Sequence, residues 1–141
     1  MTRLRVVLDA NIYISAAVRP DGPAGQLIER FVQGEFEIVL SPAVAEEVRR
    51  ALSYPKVTKA LRTRVDIEEW FWAIVVLADL VEDRPPPRVC QDPDDDKYLA
   101  AAIEGRSALV VTGDKAFLAV KEYEGIQIVT PRAFVDRLVR G

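Results

Sequence analysis

Acidic side chains stand directly after two short apolar runs of the sequence. Asp9 follows the first run, near the start of the chain, and Asp114 follows the second, much later. Glu47 and the acidic run at 92–96 lie between them. Carboxylates that a fold brings together repel one another and are costly to desolvate, so such groups usually bind a divalent cation. The pattern therefore indicates metal-dependent chemistry on phosphates.

The residue types that the chain lacks narrow this chemistry further. The chain has no histidine, and Cys90 is its only cysteine. Catalytic Ser-His-Asp or Cys-His groups cannot be built from this sequence, and neither can a zinc site of cysteine and histidine ligands. Carboxylates remain, with lysine and tyrosine in reserve, and oxygen ligands suit hard cations such as Mg²⁺ or Mn²⁺.

Length and composition favour one globular domain over residues 1–141. The chain is 50% hydrophobic and 29% charged, as ordinary globular proteins are. Its net charge of −3 offers no general attraction to nucleic acid, so a bound metal and local basic patches must attract a polyanion. For any single basic residue, a solvated surface charge is the simpler interpretation. The candidate phosphate contacts are Arg49, Arg50, Lys56, Lys59, Arg62 and Arg64.

The sequence predicts a cytoplasmic protein without a membrane segment. A single cysteine excludes an internal disulfide, which fits a reducing compartment. The apolar run before Asp9 is interrupted too early for a signal peptide. The longest nearly uncharged stretch, Trp70–Ala78, is far shorter than the roughly 20 residues that span a bilayer.

Short runs of aliphatic and β-branched residues alternate with amphipathic segments along the chain. This order predicts an α/β fold with a central parallel sheet that is covered by helices on both faces. The predicted strands are Leu4–Leu8, Phe36–Leu40, Leu109–Thr112 and Gln127–Val129.

The intervening segments predict helices with recognisable ends. One helix ends before Gly34, another begins at Ser41-Pro42, and Tyr54-Pro55 separates the latter from a short basic helix at Val57–Leu61. A longer helix over Asp66–Val81 is apolar almost all round. Such a helix is either deeply buried or shared with a partner, for example in a homodimer.

Parallel strands bring their carboxyl ends to one edge of the sheet, where ligands of open α/β folds bind. Asp9 and Asp114 follow predicted strands directly, so both belong to this edge. Asn11 and Thr112 add oxygen atoms beside them. Either aspartate alone is more simply a helix cap or a turn residue, whereas the pair favours a shared site.

Helix geometry selects among neighbouring acids. At about 100° per residue, Glu47 lies at the border of the apolar stripe of its helix, and Glu46 faces solvent. By the same reasoning, Asp95 and Asp96 flank the apolar stripe of a later helix, and Asp94 projects away. The helix start also favours an ionised Asp95.

These inferences converge on four acidic residues, with four further residues nearby. One or two cations held there would polarise a phosphodiester and lower the pKa of a coordinated water, which would serve as the nucleophile. The expected reaction is in-line hydrolysis that leaves a 3′-hydroxyl and a 5′-phosphate. The acidic set is Asp9, Glu47, Asp95 and Asp114, and the supporting residues are Asn11, Asp92, Asp96 and Thr112.

The order and spacing of these motifs resemble the PIN-domain family over nearly the whole chain. The similarity is strongest to a bacterial and archaeal branch of toxin–antitoxin components related to VapC-type ribonucleases. The segments that carry it are Asp9-Ala10-Asn11 after its strand, Ser41-Pro42 with Glu47, Asp92-Pro93-Asp94-Asp95, Thr112-Gly113-Asp114, and Ile128 to Pro131 with Phe134.

The resemblance implies a Rossmann-like three-layer α/β/α fold and an endoribonuclease that uses Mg²⁺ or Mn²⁺. It also implies an RNA substrate and a cognate antitoxin protein as a partner. Residue by residue, the acidic quartet of the family corresponds to Asp9, Glu47, Asp95 and Asp114. The chain departs from many relatives at Ala116, where they have a second acid, so no fifth carboxylate is expected there.

Two other interpretations stay open. A phosphatase of the haloacid-dehalogenase type also begins with an aspartate at a strand end, but it requires a second aspartate where this chain has Asn11. A catalytically silent PIN scaffold that binds RNA or a protein is the non-enzymatic alternative. RNA cleavage that depends on metal and on Asp9 distinguishes the nuclease from the scaffold.

Overall fold

The computed structural model describes residues 3–61 and 66–141 of the chain. Its strands are β1 (Arg5–Leu8), β2 (Glu37–Leu40), β3 (Asp79–Leu80), β4 (Leu109–Val111), β5 (Glu122–Tyr123) and β6 (Ile126–Val129). They form one sheet in the order β3-β2-β1-β4-β6-β5. Neighbouring strands are parallel, except that β5 and β6 are antiparallel.

Helices pack on both faces of this sheet, which confirms the predicted three-layer α/β/α architecture. They are α1 (Ala10–Val18), α2 (Pro23–Val32), α3 (Pro42–Leu52), α4 (Pro55–Ala60), α5 (Ile67–Leu77), α6 (Asp96–Glu104), α7 (Lys115–Leu118) and α8 (Pro131–Arg140). A 3₁₀ turn, Pro93–Asp95, precedes α6. Across the described ranges, no helix has the length and apolar character needed to cross a membrane.

The sheet confirms the predicted strands and adds two that no sequence pattern reveals. The predicted strands are β1, β2, β4 and β6, which are parallel to their neighbours among themselves. β3 and β5 have two residues each, which is too short for a periodic signal. β5 turns back onto β6 through Glu124 and Gly125, both of which have positive φ.

The two central strands are buried on both faces. Val6–Leu8 in β1 and Leu109–Val111 in β4 are at most 1% exposed. Because helices cover both faces, these strands have continuous apolar runs instead of an alternating pattern. Each run gives way at the carboxyl edge of the sheet to a buried polar residue, Asp9 after β1 and Thr112 after β4.

The helix predicted over Asp66–Val81 is shorter in the structure. α5 begins after Asp66, whose Oδ1 accepts hydrogen bonds from the backbone N–H groups of Glu68 and Glu69. It ends at Leu77, so the predicted end of this helix was wrong. The residues that follow pair with β2 as strand β3, and this long-range pairing overrides the local helical pattern.

The apolar character of α5 has two separate causes. Phe71 and Ile74 are buried in the core, as one interpretation of the sequence requires. Trp72 and Val76 lie on the opposite side and are 67% and 66% exposed. α5 therefore has a core face and an exposed apolar face.

Arg5 joins the amino end of the sheet. Its Nε donates to the carbonyl oxygen of Gly105 at 2.5 Å, and Nη1 donates to Glu37 at 3.1 Å. Nη2 of the same guanidinium pairs with Asp79. Because Glu37 begins β2 and Asp79 begins β3, one side chain fastens three strands to the residue that follows α6. The carboxyl edge, where Asp9 lies, is at the opposite end of these strands.

Candidate active site

Asp9 ends β1 and caps the first turn of α1. Its Oδ1 accepts a hydrogen bond from the backbone N–H of Asn11 at 3.1 Å, and its Oδ2 accepts one from the Thr112 hydroxyl at 2.7 Å. The residue is 4% exposed. Burial raises the pKa of Asp9, and the hydrogen bonds from Thr112 and Asn11 oppose that rise. The carboxylate is therefore fixed in place and poorly solvated.

Thr112 links the two acids that follow the central strands. The residue is completely buried at the end of β4. Its hydroxyl donates to Asp9 and accepts a hydrogen bond from the backbone N–H of Asp114 at 3.1 Å. Asp114 in turn caps α7, because its Oδ1 accepts from the N–H of Ala116 at 2.9 Å. The structure thus brings Asp9 and Asp114 to the same edge of the sheet, where the Thr112 hydroxyl contacts the carboxylate of Asp9 and the backbone of Asp114.

Glu47 reaches this edge from α3. Ser41 starts that helix, and its Oγ accepts a hydrogen bond from the N–H of Val44 at 3.3 Å. The resulting phase leaves Glu47 half-buried and Glu46 exposed, as helix geometry predicts. Glu47 Oε2 accepts a hydrogen bond from Lys97 Nζ at 2.5 Å, so its negative charge has a direct counter-ion.

Asp95 lies among the other acids, and their negative charges act on its carboxyl group. Its Oδ2 is buried and has no hydrogen-bond partner in the described part of the chain. Its side chain makes no capping hydrogen bond at the start of α6. Burial, followed by the negative charges of Asp9, Asp114, Asp92 and Glu47, raises the pKa of Asp95 to about 7. The unpaired oxygen and the surrounding charge are both consistent with a position that faces a cation.

The other predicted supporting residues do different work. Asp92 is exposed, and its Oδ1 caps the 3₁₀ turn by accepting from the N–H of Asp94 at 3.0 Å. Asp96 is buried, and its Oδ1 accepts from the N–H groups of Val89 and Cys90 at 3.2 and 2.8 Å. Asp96 therefore anchors the segment before the turn. Its charge also contributes, after burial, to raising the pKa of Cys90 to about 12.

Sequence reasoning missed two residues of this site, Lys97 and Tyr98. The Tyr98 hydroxyl is buried and accepts a hydrogen bond from the N–H of Ala10 at 3.2 Å. Burial, and then the charge of Asp9, raise the pKa of this hydroxyl above its ordinary value. Tyr98 lies one helical turn after Asp95, so the helix phase that selects the aspartate could also have indicated the tyrosine.

The acidic residues lie at the same edge of the sheet, but their carboxylates are not grouped around one point. Within residues 3–61 and 66–141, no three His, Cys, Asp or Glu side chains are grouped closely enough to hold a metal ion. The donor set still fits a hard divalent cation, because it offers carboxylate oxygens and the buried Oδ2 of Asp95 has no other partner. Asp9, Glu47, Asp95 and Asp114 are the residues that could hold such an ion.

Comparison with known proteins identifies a matching family. The family model described as "PIN domain" matches residues 5–116, a range that includes all four acids. The chain is also similar to "Uncharacterized protein MJ1680" of Methanocaldococcus jannaschii, with 25% identity over 142 residues. That alignment covers 95% of this chain and 91% of the relative.

Replacing Thr112 by valine should weaken the fold, and more so at high pH. The change keeps the shape of the side chain but removes the partner of Asp9 Oδ2 and of the Asp114 N–H. We expect the free energy of unfolding to fall by about 1–3 kcal/mol at pH 8. The loss should shrink at pH 4, because the missing hydrogen bond favours ionised Asp9. Denaturant titrations in EDTA at both pH values measure it.

Thr112→Ser is the matched control, since it keeps the hydroxyl and loses only a methyl group. Its deficit should be the same at pH 4 and pH 8. A pH-independent deficit for Thr112→Val would contradict the assigned bond to the Asp9 carboxylate.

Replacing Asp95 by asparagine should stabilise the metal-free protein at high pH. Folding raises the pKa of Asp95 from 3.8 to about 7, so ionised Asp95 destabilises the folded state above that range. The melting temperature of Asp95→Asn should exceed that of the wild type by about 3 °C or more at pH 8, and the difference should vanish near pH 4. Thermal scans in EDTA test this, with exposed Asp94→Asn as the control that changes little.

Proposed function

The chain belongs to the PIN domain family, whose members are generally nucleases, and from this premise we propose that it is a Mg²⁺- or Mn²⁺-dependent endoribonuclease. Its fold is of the nuclease type. The proposal adds the metal, the RNA substrate and the residues that act. Asp9, Glu47, Asp95 and Asp114 are proposed as metal ligands and catalytic residues.

One observation carries the proposal more than any other. The buried Oδ2 of Asp95 has no hydrogen-bond partner among the described residues, and burial, followed by the charges of four other carboxylates, raises the pKa of its side chain. Buried polar atoms almost always have a hydrogen-bond partner. A buried carboxylate oxygen that has none and lies among other carboxylates therefore favours a bound cation.

Hydrogen bonds from neighbouring hydroxyl and backbone N–H groups fix the orientation of Asp9 and Asp114 in the absence of any ligand. Thr112 and the Asn11 N–H hold both oxygens of Asp9, and the Ala116 N–H holds one oxygen of Asp114. Such fixed donors keep a ligand from reorganising during reaction. A bound divalent ion supplies an acidified water and neutralises charge on the phosphate, work that a chain without histidine cannot do with an imidazole base.

Basic residues beside the site are proposed to contact the RNA backbone. Arg49 and Arg50 are exposed on α3, the helix that carries Glu47, and Lys56 and Lys59 are exposed on α4. Their positive charge offsets the net charge of −3 where a polyanion would approach. Two further candidates, Arg62 and Arg64, lie outside the described residues.

Purified protein should cleave RNA from a mixed panel in Mg²⁺ or Mn²⁺ and leave it intact in EDTA. Asp9→Asn should lower the rate by more than about a hundredfold, because even residues that merely orient metal ligands contribute tenfold to a hundredfold. Exposed Asp94→Asn should cleave at the wild-type rate. Gel analysis of end-labelled RNA also shows whether the products carry a 5′-phosphate.

RNA binding without cleavage at any enzyme concentration would contradict the nuclease. If that binding also survives EDTA and Asp9→Asn, the chain acts as a silent PIN scaffold. Thus the same experiment decides between the two functions.

We further propose, on the family resemblance alone, that the protein acts in the cytoplasm as the toxin of a toxin–antitoxin pair. A small cognate antitoxin would then be its partner. Induction of the wild type in a host cell should slow growth and degrade RNA, and induction of Asp9→Asn should do neither. Unchanged growth and intact RNA with the wild type would contradict this role.

A homodimer through α5 is also proposed. The exposed surface formed by Trp72, Val76, Leu77 and Leu80 is apolar, and each of these residues is more than half exposed. It borders a cavity of about 500 Å³ that is lined by both basic and acidic side chains, including Arg49 and Glu69. A surface with both signs of charge can pair with its own copy about a two-fold axis.

Val76→Glu should convert the dimer to a monomer, because it places a charge in the centre of that surface. Light scattering after size-exclusion chromatography measures the mass. Val139→Glu is the matched control, since Val139 is a similarly exposed valine on α8. A wild-type protein that is monomeric at micromolar concentration would contradict the dimer.

A further inference from the structure

Lys97 is the one lysine of the chain that is not exposed. It follows Asp95 and Asp96 at the start of α6, and its Nζ lies 2.5 Å from Glu47 Oε2. The side chains of Lys97 and Glu47 are 24% and 33% exposed. This ion pair joins α6 to α3 within the acidic site. The exposed lysines are Lys56, Lys59, Lys115 and Lys121.

The four proposed ligands obtain their stabilisation in different ways. Asp9 and Asp114 accept hydrogen bonds from neutral hydroxyl and N–H groups. The buried Oδ2 of Asp95 has no hydrogen-bond partner. Glu47 alone is paired with a full positive charge, and in the described part of the chain Lys97 is the only Lys or Arg that forms an ion pair with any of the four.

We propose that Lys97 is a resident counter-ion of the site, which a divalent cation must displace from Glu47. The inference rests on the proposed metal-dependent function and adds a competition to it. An ammonium group and a metal ion both need the lone pairs of the same carboxylate, so each weakens the binding of the other. In this arrangement, Lys97 screens the acids from one another in the metal-free protein and lowers the apparent affinity of the site for the metal.

The structure provides a place for the displaced ammonium. Lys97 also lines a cavity of about 270 Å³ together with Glu82 and Asp83. Arg84 lines the same cavity, but its guanidinium pairs with Glu104 at 3.7 Å, so Glu82 and Asp83 still give the displaced lysine a negatively charged environment. Asp83 Oδ1 accepts a hydrogen bond from the N–H of Ala43 at 3.1 Å, which ties this cavity to the first turn of α3.

The test compares Mn²⁺ affinity, measured by isothermal titration calorimetry, in the wild type and in matched variants. Lys97→Met keeps the length of the side chain and removes its charge, and it should bind Mn²⁺ about fivefold more tightly, as loss of a competing ion pair of moderate strength requires. Lys97→Arg keeps the charge and should bind with the wild-type affinity or more weakly. Lys97→Gln is a second neutral variant, used if Lys97→Met does not fold.

Lys115→Met controls for the general effect of removing one positive charge near the acids. Lys115 follows Asp114 directly, is exposed and forms no ion pair in the described structure. Its loss should change the affinity by less than about twofold in 0.15 M salt. In a Glu47→Gln background, Lys97→Met should likewise have no more effect than Lys115→Met, because the competing carboxylate is gone.

The outcomes separate this inference from the proposed function. If the wild type binds Mn²⁺ and Lys97→Met binds it equally or more weakly, the counter-ion role is wrong and the metal site stands. An equal gain for Lys97→Met and Lys115→Met overturns it as well. If no protein of the set binds Mn²⁺, the metal site fails and the competition fails with it.

Discussion

The mutual repulsion of poorly solvated carboxylates is the constraint on which the rest of this site depends. The fold offsets this repulsion by a different interaction at each acid. Neutral donors surround Asp9, a backbone N–H holds Asp114, and the ammonium of Lys97 holds Glu47. The Oδ2 of Asp95 is buried and has no hydrogen-bond partner among the described residues, and burial, followed by the charges of the other acids, raises the pKa of that carboxyl to about 7. This unpaired buried oxygen is the feature of the site that most favours the proposed cation.

The two edges of the sheet differ in how their charges are balanced. At the amino edge, Arg5 neutralises Glu37 and Asp79 and fastens three strands with its hydrogen bonds. At the carboxyl edge, like charges accumulate and weaken the folded state. The central strands between the edges are buried and rigid, so repulsion among the acids is resisted by the whole core and does not separate the strand ends. Strain at a functional site persists only when the surrounding structure is secure in this way.

Local sequence patterns predicted the features that depend on a single segment. They failed where contacts between distant segments determine the structure. Patterns within about ten residues predict the four strands β1, β2, β4 and β6 and the helix start at Ser41. They also predict that Glu47, and not Glu46, lies at the border of the buried face of its helix. β3 ends α5 early because it pairs with β2, which lies some forty residues before it. Asp96 stays a predicted supporting residue, and the hydrogen bonds that its Oδ1 accepts from the backbone of Val89 and Cys90 could not be foreseen from a local pattern. The contact between Lys97 and Glu47 joins residues fifty positions apart, and no sequence pattern reveals it.

A site with its own counter-ion differs in kind from a preformed metal cage. In a preformed cage, the free energy of binding is that of the ion entering its ligands. When a lysine already occupies one ligand, the net free energy is the difference between two ionic interactions with the same carboxylate. The metal-free fold then avoids an unpaired charge at the half-buried Glu47. Under the proposed competition, a higher metal concentration would be needed to fill the site, and a phosphate that helps to retain the ion would lower it. The proposed role of Lys97 would thus reconcile the stability of an empty acidic edge with binding of a divalent cation.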